Sequence, residues 1–372
     1  MIFIIGAGIN GLSIGNKLID KGFKVKIFDF QQKGESSLAA VGMLAPLIEA
    51  KPHENELLDL MLDSKKRWLN FAKKTTRDSK INIGFNQNSS LLIANNYNDI
   101  EKLKFKKKFI QKLGFKTNLL NRKQTLEIEP LLSEDVQASL FCEGQDQVNP
   151  NLLKKSLKKS FLQNGGVIVT KGKINKIFVN KKNSVGVSVD QNNFFAEKIV
   201  IASGVWSHKI ILDSFDISVP LKPVKGVSLR IKSPKNNELI NHNLWFKNIY
   251  VAPRNDGELM IGATEEEKGF ETIINPKELY YLTKNLWENL PFTENFEIVS
   301  FISGLRPTSF DGLPIIGTLD SVSKNIICAF GHYRHGVLLA PITADMVYDC
   351  IVDNNNKKKI SSFSPNRYNS HG

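Results

Sequence analysis

The chain has 372 residues, 41% of them hydrophobic and spread throughout, which gives a sizeable core to one large domain or two interleaved ones and excludes a disordered protein. A net charge of +13 would suit a polyanion, but only 8 of the 50 basic residues are Arg, and the Lys clusters at 104–108 and 154–159 alternate with Leu and Phe at helical spacing. Those clusters read as solvated helix faces, so no nucleic acid partner is expected.

Residues 2–5 are a short apolar run, and Gly6-Ala-Gly8-Ile-Asn-Gly11 then opens a helical pattern to about Lys21. Residues 25–28 read as a second strand, with Asp29 placed 23 residues after Gly6. Strand, glycine turn, helix, strand and acid in this order make a dinucleotide site. Gly6 serves the tight turn, Gly8 lets the backbone approach a pyrophosphate, and Gly11 lets helix and strand pack closely. The helix N-terminus offers free N–H groups to phosphates, and Asp29 can accept from ribose hydroxyls. The pattern does not separate FAD from NAD.

Residues 31–50 are rich in small side chains. Ser36 and Ser37 can bond phosphate oxygens, while Ala39, Ala40 and Gly42 leave room for a flat ring. An alanine-rich packing face is the competing reading. Residues 54–78 form an amphipathic helix, and 84–145 offer a strand at 90–94, a lysine-rich helix and a loop. A helix is expected from Asn149-Pro150 to Gly165-Gly166, followed by strands at 167–170, 174–179, 185–189 and 194–201. The last strand runs into a turn holding Gly204 and Trp206, where a strand's carboxyl end meets a nucleotide in an open parallel sheet. Residues 219–300 alternate strands (227–231, 249–252, 258–263) with turns and end in a helix at 276–290, the layout of a separate antiparallel sheet. Tyr250 lies in a strand whose alternate positions can face a cavity.

The stretch 302–318 organises the C-terminal half. Arg306 stands between an apolar strand at 298–302 and a turn built from Pro307, Asp311, Gly312 and Pro314. A guanidinium held there makes a fork for a carboxylate, although a structural salt bridge would use the same residue. Since this chain writes Lys wherever a generic cation serves, Arg306 and Arg334 stand out. A strand at 326–330 is followed by Gly331-His-Tyr-Arg-His-Gly336 and an apolar helix to Ile351, with Pro341 in its first turn or kinking it. A helix start here could stabilise a ring that gains negative charge. His332 and His335 flank Arg334, and turn or packing residues are the plainer reading of both. Residues 354–359 and 366–372 read as a disordered tail.

No run reaches 18 apolar residues, so no membrane span is expected. Cys142, Cys328 and Cys350 are far apart and show no metal spacing. With no basic n-region before the first strand, a reducing, cytoplasmic setting is expected.

Taken together, Gly6–Gly11 with Asp29, Ser36–Pro46 with its Gly-Met-Leu-Ala-Pro, 202–207, 250–264, and 304–317 with 331–341 resemble the D-amino-acid-oxidase-like flavoprotein family, and within it the glycine oxidase branch. The resemblance implies an α/β fold, with a Rossmann-like FAD-binding domain (1–83, 145–215 and 301–372) interleaved with an α+β substrate domain (84–144 and 216–300) on an antiparallel or mixed sheet. It implies FAD held through Gly6, Gly8, Gly11, Asp29, Ser36 and Ser37, with Ala40, Gly42 and Met43 near the isoalloxazine. Gly204, Trp206, Gly331, His332, His335, Gly336 and Val337 complete the expected cofactor contacts.

Arg306 and Tyr250 are expected to hold the substrate carboxylate, with Arg334 nearby. The implied activity is oxidative deamination of glycine, sarcosine or a small D-amino acid by hydride transfer to flavin N5. Oxygen would give hydrogen peroxide, in thiamine (thiazole) biosynthesis. A dehydrogenase passing electrons to a quinone and a flavin-binding protein without turnover are the competing functions. Residues 298–306 contain no cysteine to tether the flavin, so non-covalent FAD is expected, and a homo-oligomer is left open. Two departures from the family's pattern are Glu265, which would disfavour larger apolar substrates if turned inward, and Asn248, where some relatives carry His.

Overall fold

The computed structural model describes all residues except 31, 181–183, 236–239, 256, 353–360 and 372. The chain begins β1 (Ile2–Ile5), α1 (Ile9–Asp20), β2 (Val25–Phe28), α2 (Ser36–Ala39), β3 (Met43–Leu44), α3 (Pro46–Glu49) and α4 (Asn55–Ser79). It continues through β4 (Ser90–Ala94), α5 (Tyr97–Lys112), β5 (Asn118–Asn121), α6 (Arg122–Ile128), β6 (Ala138–Cys142) and β7 (Asp146–Gln147). Next come α7 (Pro150–Gln163), β8 (Val167–Val169), β9 (Ile174–Val179), β10 (Val185–Val189), β11 (Asn192–Ala196), β12 (Lys198–Ile201) and α8 (Ser207–Phe215). The remainder is β13 (Leu221–Lys232), β14 (Asn243–Trp245), β15 (Tyr250–Pro253), β16 (Glu258–Gly262), α9 (Pro276–Asn289), β17 (Glu297–Ser309), β18 (Ile315–Leu319), β19 (Ser323–Phe330) and α10 (Ala340–Ile351).

The first sheet runs β18-β19-β12-β1-β2-β8, parallel except for the antiparallel edge strand β18. Every residue of β1 is buried, because both faces are covered. Ile2 and Ile4 pack with α1, α4, α7 and α10, while Phe3 and Ile5 pack with the small β9–β10–β11 sheet and α8. The alternation of β1 thus feeds two cores. Asn149 caps α7 by accepting from the N–H groups of Asn151 and Leu152, with Pro150 at the start, as the sequence leads one to expect.

The second sheet runs β17-β13-β16-β15-β14-β4-β6-β5 and is mixed, with only β4 and β14 parallel. Its core packs against α9 through Leu282 and Leu286. An Asn275–Glu278 capping box starts that helix.

Five expectations need correction. The loop expected between the lysine-rich helix and residue 145 holds β5, α6 and the interior strand β6. The single strand expected at 194–201 is two strands in different sheets, β11 and β12, broken at Glu197, whose N–H bonds the Met1 carbonyl. Arg306 lies within β17, paired in register with Val224, rather than beyond a strand end. The expected boundary at residue 301 falls inside this same strand. Residues 366–368, expected to be disordered, are docked: Arg367 bonds Asp311 at 2.7 and 3.0 Å, and the Tyr368 hydroxyl bonds Asp311 at 2.9 Å. Residues 354–359 lie outside the described residues. Pro341 sits in the first turn of α10.

Candidate active site

A cavity of about 690 Å³ opens at the carboxyl end of β1, between the two sheets. Its nucleotide-facing wall starts with Gly6, whose φ of +104° suits glycine and whose missing Cβ would stand 2.6 Å from the Ala202 carbonyl oxygen. A Cβ on Gly11 would lie 2.0 Å from the Gly6 oxygen, so Gly11 lets α1 close onto β1; it packs behind the cavity rather than lining it. At Gly8 the nearest atom to a Cβ is the Ser37 hydroxyl at 3.4 Å, which leaves the backbone there accessible to a ligand. The first turn of α1 carries no acidic side chain to compete for its N–H groups. These are the features a pyrophosphate needs.

Asp29, Ser36, Ser37, Ala40, Gly42 and Met43 border the same cavity, as do Gly204, Trp206, His332, Gly336 and Val337. The Ser36 hydroxyl is already spent on the Leu305 carbonyl, while Ser37 Oγ accepts from the Ile9 N–H at 3.3 Å. Gly42 has φ +88° and a Cβ site 2.1 Å from the Val148 oxygen, so β3 presses against the strand bridge it forms with β7. Buried Arg254 ties the same segment down by donating to the Val41 carbonyl and, at 2.6 Å, to Gln147 Oε1.

Besides Gly11, two of the expected cofactor residues stand back from the cavity. Gly331 turns the chain against Ile315, and buried His335 has its Nδ1 3.2 Å from Glu49 Oε2. His332 Nε2 lies 3.0 Å from the Thr343 hydroxyl, and burial with a neighbouring His335 pushes its pKa down to about 3. Burial lowers His335 as well, against the pull of Glu49. Both imidazoles are therefore neutral in ordinary buffers. The 331–339 segment is held from behind by α4, where Ser64 Oγ and Trp68 Nε1 donate to the Leu338 carbonyl at 2.6 and 2.8 Å.

On the opposite wall, Arg306 and Tyr250 are brought together. The Arg306 guanidinium lies over Gly226, where a Cβ would be 2.4 Å from its nitrogens, and donates from Nη1 to the carbonyls of Thr264 (3.1 Å) and Lys225 (3.4 Å). No carboxylate pairs with it among the described residues, which sets it apart from a structural salt bridge. The Tyr250 ring lies over Gly262, its register partner, at a Cβ distance of 2.3 Å. Burial raises the Tyr250 pKa, against the lowering influence of Arg306, so its hydroxyl stays a hydrogen-bond donor. Trp245 packs on Tyr250 with ring centroids 5.1 Å apart.

Arg334 borders the same space, with Nε 3.0 Å from Glu49 Oε2 and its guanidinium 5.7 Å from the Tyr333 ring centre. Although burial opposes its charge, Glu49 holds its pKa above the ordinary value. A second cavity of about 510 Å³ shares Trp245, Tyr250, Arg306 and Arg334 with the first. Exposed Glu265 lines it, but not the first cavity, and accepts from the Tyr333 hydroxyl. Asn248 is tied to α9 through Asn285 Oδ1 at 2.7 Å.

Glu49, Trp245, Tyr333 and the two slot glycines, Gly226 and Gly262, escaped the sequence reading. An isolated glycine inside a strand does signal close approach, and Tyr333, with a left-handed φ of +49°, adopts a conformation no residue type announces.

A family model described as FAD dependent oxidoreductase matches residues 1–350. The chain belongs to that family. Within it, the chain is 27% identical over 372 residues to the glycine oxidase of Geobacillus kaustophilus, covering 99% of this chain and 97% of that one. The crystal structure of the Geobacillus kaustophilus glycine oxidase superposes with a TM-score of 0.91 at 27% identity, covering 98% of each chain. The chain is also 29% identical over 370 residues to the bifunctional protein ThiO/ThiG of Trichormus variabilis, covering 99% of this chain. It spans about half the length of the ThiO/ThiG relatives it matches. Membership makes FAD the cofactor, and the Gly6–Gly11 cradle, the start of α1 with no acidic side chain in its first turn and the small-residue wall at Ala40–Met43 fit it. No helix among the described residues is long and apolar enough to cross a membrane.

Proposed function

We propose that the protein oxidises glycine or another small amino acid, sarcosine or a small D-amino acid, to the imine, with oxygen as electron acceptor and hydrogen peroxide as product. The observation that carries the reading is Arg306: a guanidinium held by main-chain carbonyls, without a carboxylate partner among the described residues, beside Tyr250 on the wall facing the glycine-rich cradle.

FAD, when bound, accepts the two electrons and the hydrogen leaving the substrate's α-carbon. The chain's own residues bind and orient. Arg306 takes the substrate carboxylate through two parallel N–H donors, and the Tyr250 hydroxyl donates a further bond. Fixing one end of so small a molecule points its α-carbon at the opposite wall, an entropic contribution to rate. The amine must be neutral before it can be oxidised, and the positive charge of Arg306 favours loss of its proton. Neutral His332 bonds Thr343, so no imidazole is assigned as a general base.

We assign 1–83, 145–215 and the part of 301–372 beyond β17 to the cofactor side, and 84–144, 216–300 and the whole of β17 to the substrate side. None of the three cysteines borders either cavity, which supports non-covalent FAD. A cytoplasmic enzyme of thiamine (thiazole) biosynthesis is the setting that fits the glycine oxidase likeness. Purified protein should be yellow, release FAD on acid treatment and produce peroxide with glycine. Dye reduction without peroxide would move the reading to a quinone-linked dehydrogenase. A colourless protein that FAD does not reconstitute would overturn it.

A further inference from the structure

Resting on the amino-acid pocket proposed above, we infer that Glu49 sets the charge of the substrates this protein accepts, by neutralising Arg334 so that the pocket offers one free guanidinium rather than two. Both arginines border both cavities, so both lie within reach of a bound amino acid and its substituents. They differ in what holds them. Arg306 rests on the carbonyls of Lys225 and Thr264, neutral oxygens, and no carboxylate among the described residues pairs with it. Arg334 is ion-paired to Glu49, whose side chain is only 11% exposed and whose Oε2 faces both Arg334 Nε at 3.0 Å and His335 Nδ1 at 3.2 Å. His335 and His332 are neutral, because burial depresses both. Lys106, whose ammonium donates to the Ala50 carbonyl at 2.5 Å, borders neither cavity.

The count at the pocket is two guanidinium charges against one carboxylate, a net of one positive charge. One substrate carboxylate balances it. A second anionic group would find no free guanidinium fork in that partly desolvated space, where an unpaired charge is costly. Size does not exclude such a substrate, because the second cavity adds about 510 Å³ beyond Tyr250 and Arg306. Apart from the shared arginines its lining carries no further guanidinium, and of its three carboxylates Glu278 pairs with Lys225 at 2.8 Å and Glu266 with Lys268 at 3.2 Å. Amino acids with a single carboxylate therefore fit, and dicarboxylic amines are rejected by charge. Removing Glu49 frees a second fork where that extra anionic group would lie.

The test titrates the flavin-loaded protein with acetate and with malonate, which carry one and two carboxylates and no oxidisable amine, and reads binding from the perturbed flavin spectrum. The wild type should bind acetate more tightly than malonate. In Glu49→Gln the ratio of malonate to acetate affinity should rise about tenfold or more. In Glu49→Gln combined with Arg334→Gln that gain should vanish. If Glu49→Gln does not retain flavin, Glu49→Asp, which lengthens the ion pair, should shift the same ratio in the same direction. An unchanged ratio in the variant that retains flavin, with acetate binding intact, overturns this inference alone. Failure of acetate to perturb the wild-type flavin overturns the pocket reading and this inference with it.

Discussion

Arg306 and Tyr250 reach the cavity because the residues beneath them have no side chains. A methyl group at Gly226 would sit 2.4 Å from the guanidinium, and one at Gly262 would sit 2.3 Å from the Tyr250 ring. Both distances are too short for any real Cβ, so Gly226→Ala and Gly262→Ala should displace the anchors while leaving the cofactor wall untouched. The expected result is a rise of about tenfold or more in the KM for glycine with flavin content retained, measured by steady-state peroxide assay. Unaltered KM values would mean that neither side chain holds substrate.

That Arg306, Arg334 and Tyr250 would meet at one cavity was legible: a chain that spends Lys freely placed Arg at 306 and 334, and a Tyr in a strand facing inward. The slots were not, because a glycine in a strand tells of a close approach without naming what approaches. Glu49 was hidden for a different reason. A carboxylate that ends a four-residue helix looks like any surface acid until the fold brings Arg334 to it across nearly the whole chain.

At the level of elements, the cofactor wall depends on one short strand. β3 contributes Met43 beside Gly42, pairs with β7, and is pinned by Arg254 through Val41 and Gln147. Gly42→Ala combines a left-handed φ of +88° with a contact at 2.1 Å to the Val148 carbonyl. It should cost at least about 2 kcal/mol of stability and weaken FAD retention, readable by thermal unfolding with and without added FAD. A variant with wild-type stability and flavin content would show that the strand can be rebuilt elsewhere.

The first βαβ unit was legible end to end because its glycines, apolar runs and acid are local. The split of 194–201 into β11 and β12 was not, since the run is apolar on both sides of Glu197 and only tertiary pairing assigns its halves to different sheets. β5 and β6 escaped for a similar reason: β6 earns its place by pairing with β4 and β5 rather than by its own alternation.

Across the whole molecule, the cavity exists because β17 is docked onto the cofactor side. Gly304 lets α2 approach, with Ala39 Cβ 2.7 Å from its Cβ site, and the Leu305 N–H bonds the Gly34 carbonyl at 2.8 Å. On the cavity wall lies buried neutral His332, whose pKa falls from 6.5 to about 3 on folding. The unfolded chain therefore binds a proton that the folded one refuses, and stability falls as pH drops through the window between those two values. Buried His335, lowered in the same sense, adds to the effect. Chemical denaturation at descending pH should show this loss, and His332→Asn should show a smaller pH dependence even if it starts less stable. An identical slope in both proteins would mean that His332 titrates alike folded and unfolded.

The account as a whole turns on a guanidinium pinning an acid group against a bound two-electron carrier. The direct measurement is anaerobic titration of the yellow protein with glycine, following loss of the flavin's visible band, in the wild type and in Arg306→Ala. The wild type should bleach fully, and the variant should need glycine at least about two orders of magnitude more concentrated, the scale of a lost charge-assisted fork. A wild-type flavin that glycine, sarcosine and D-alanine all leave unbleached, or a variant that bleaches at the wild-type concentration, would contradict it.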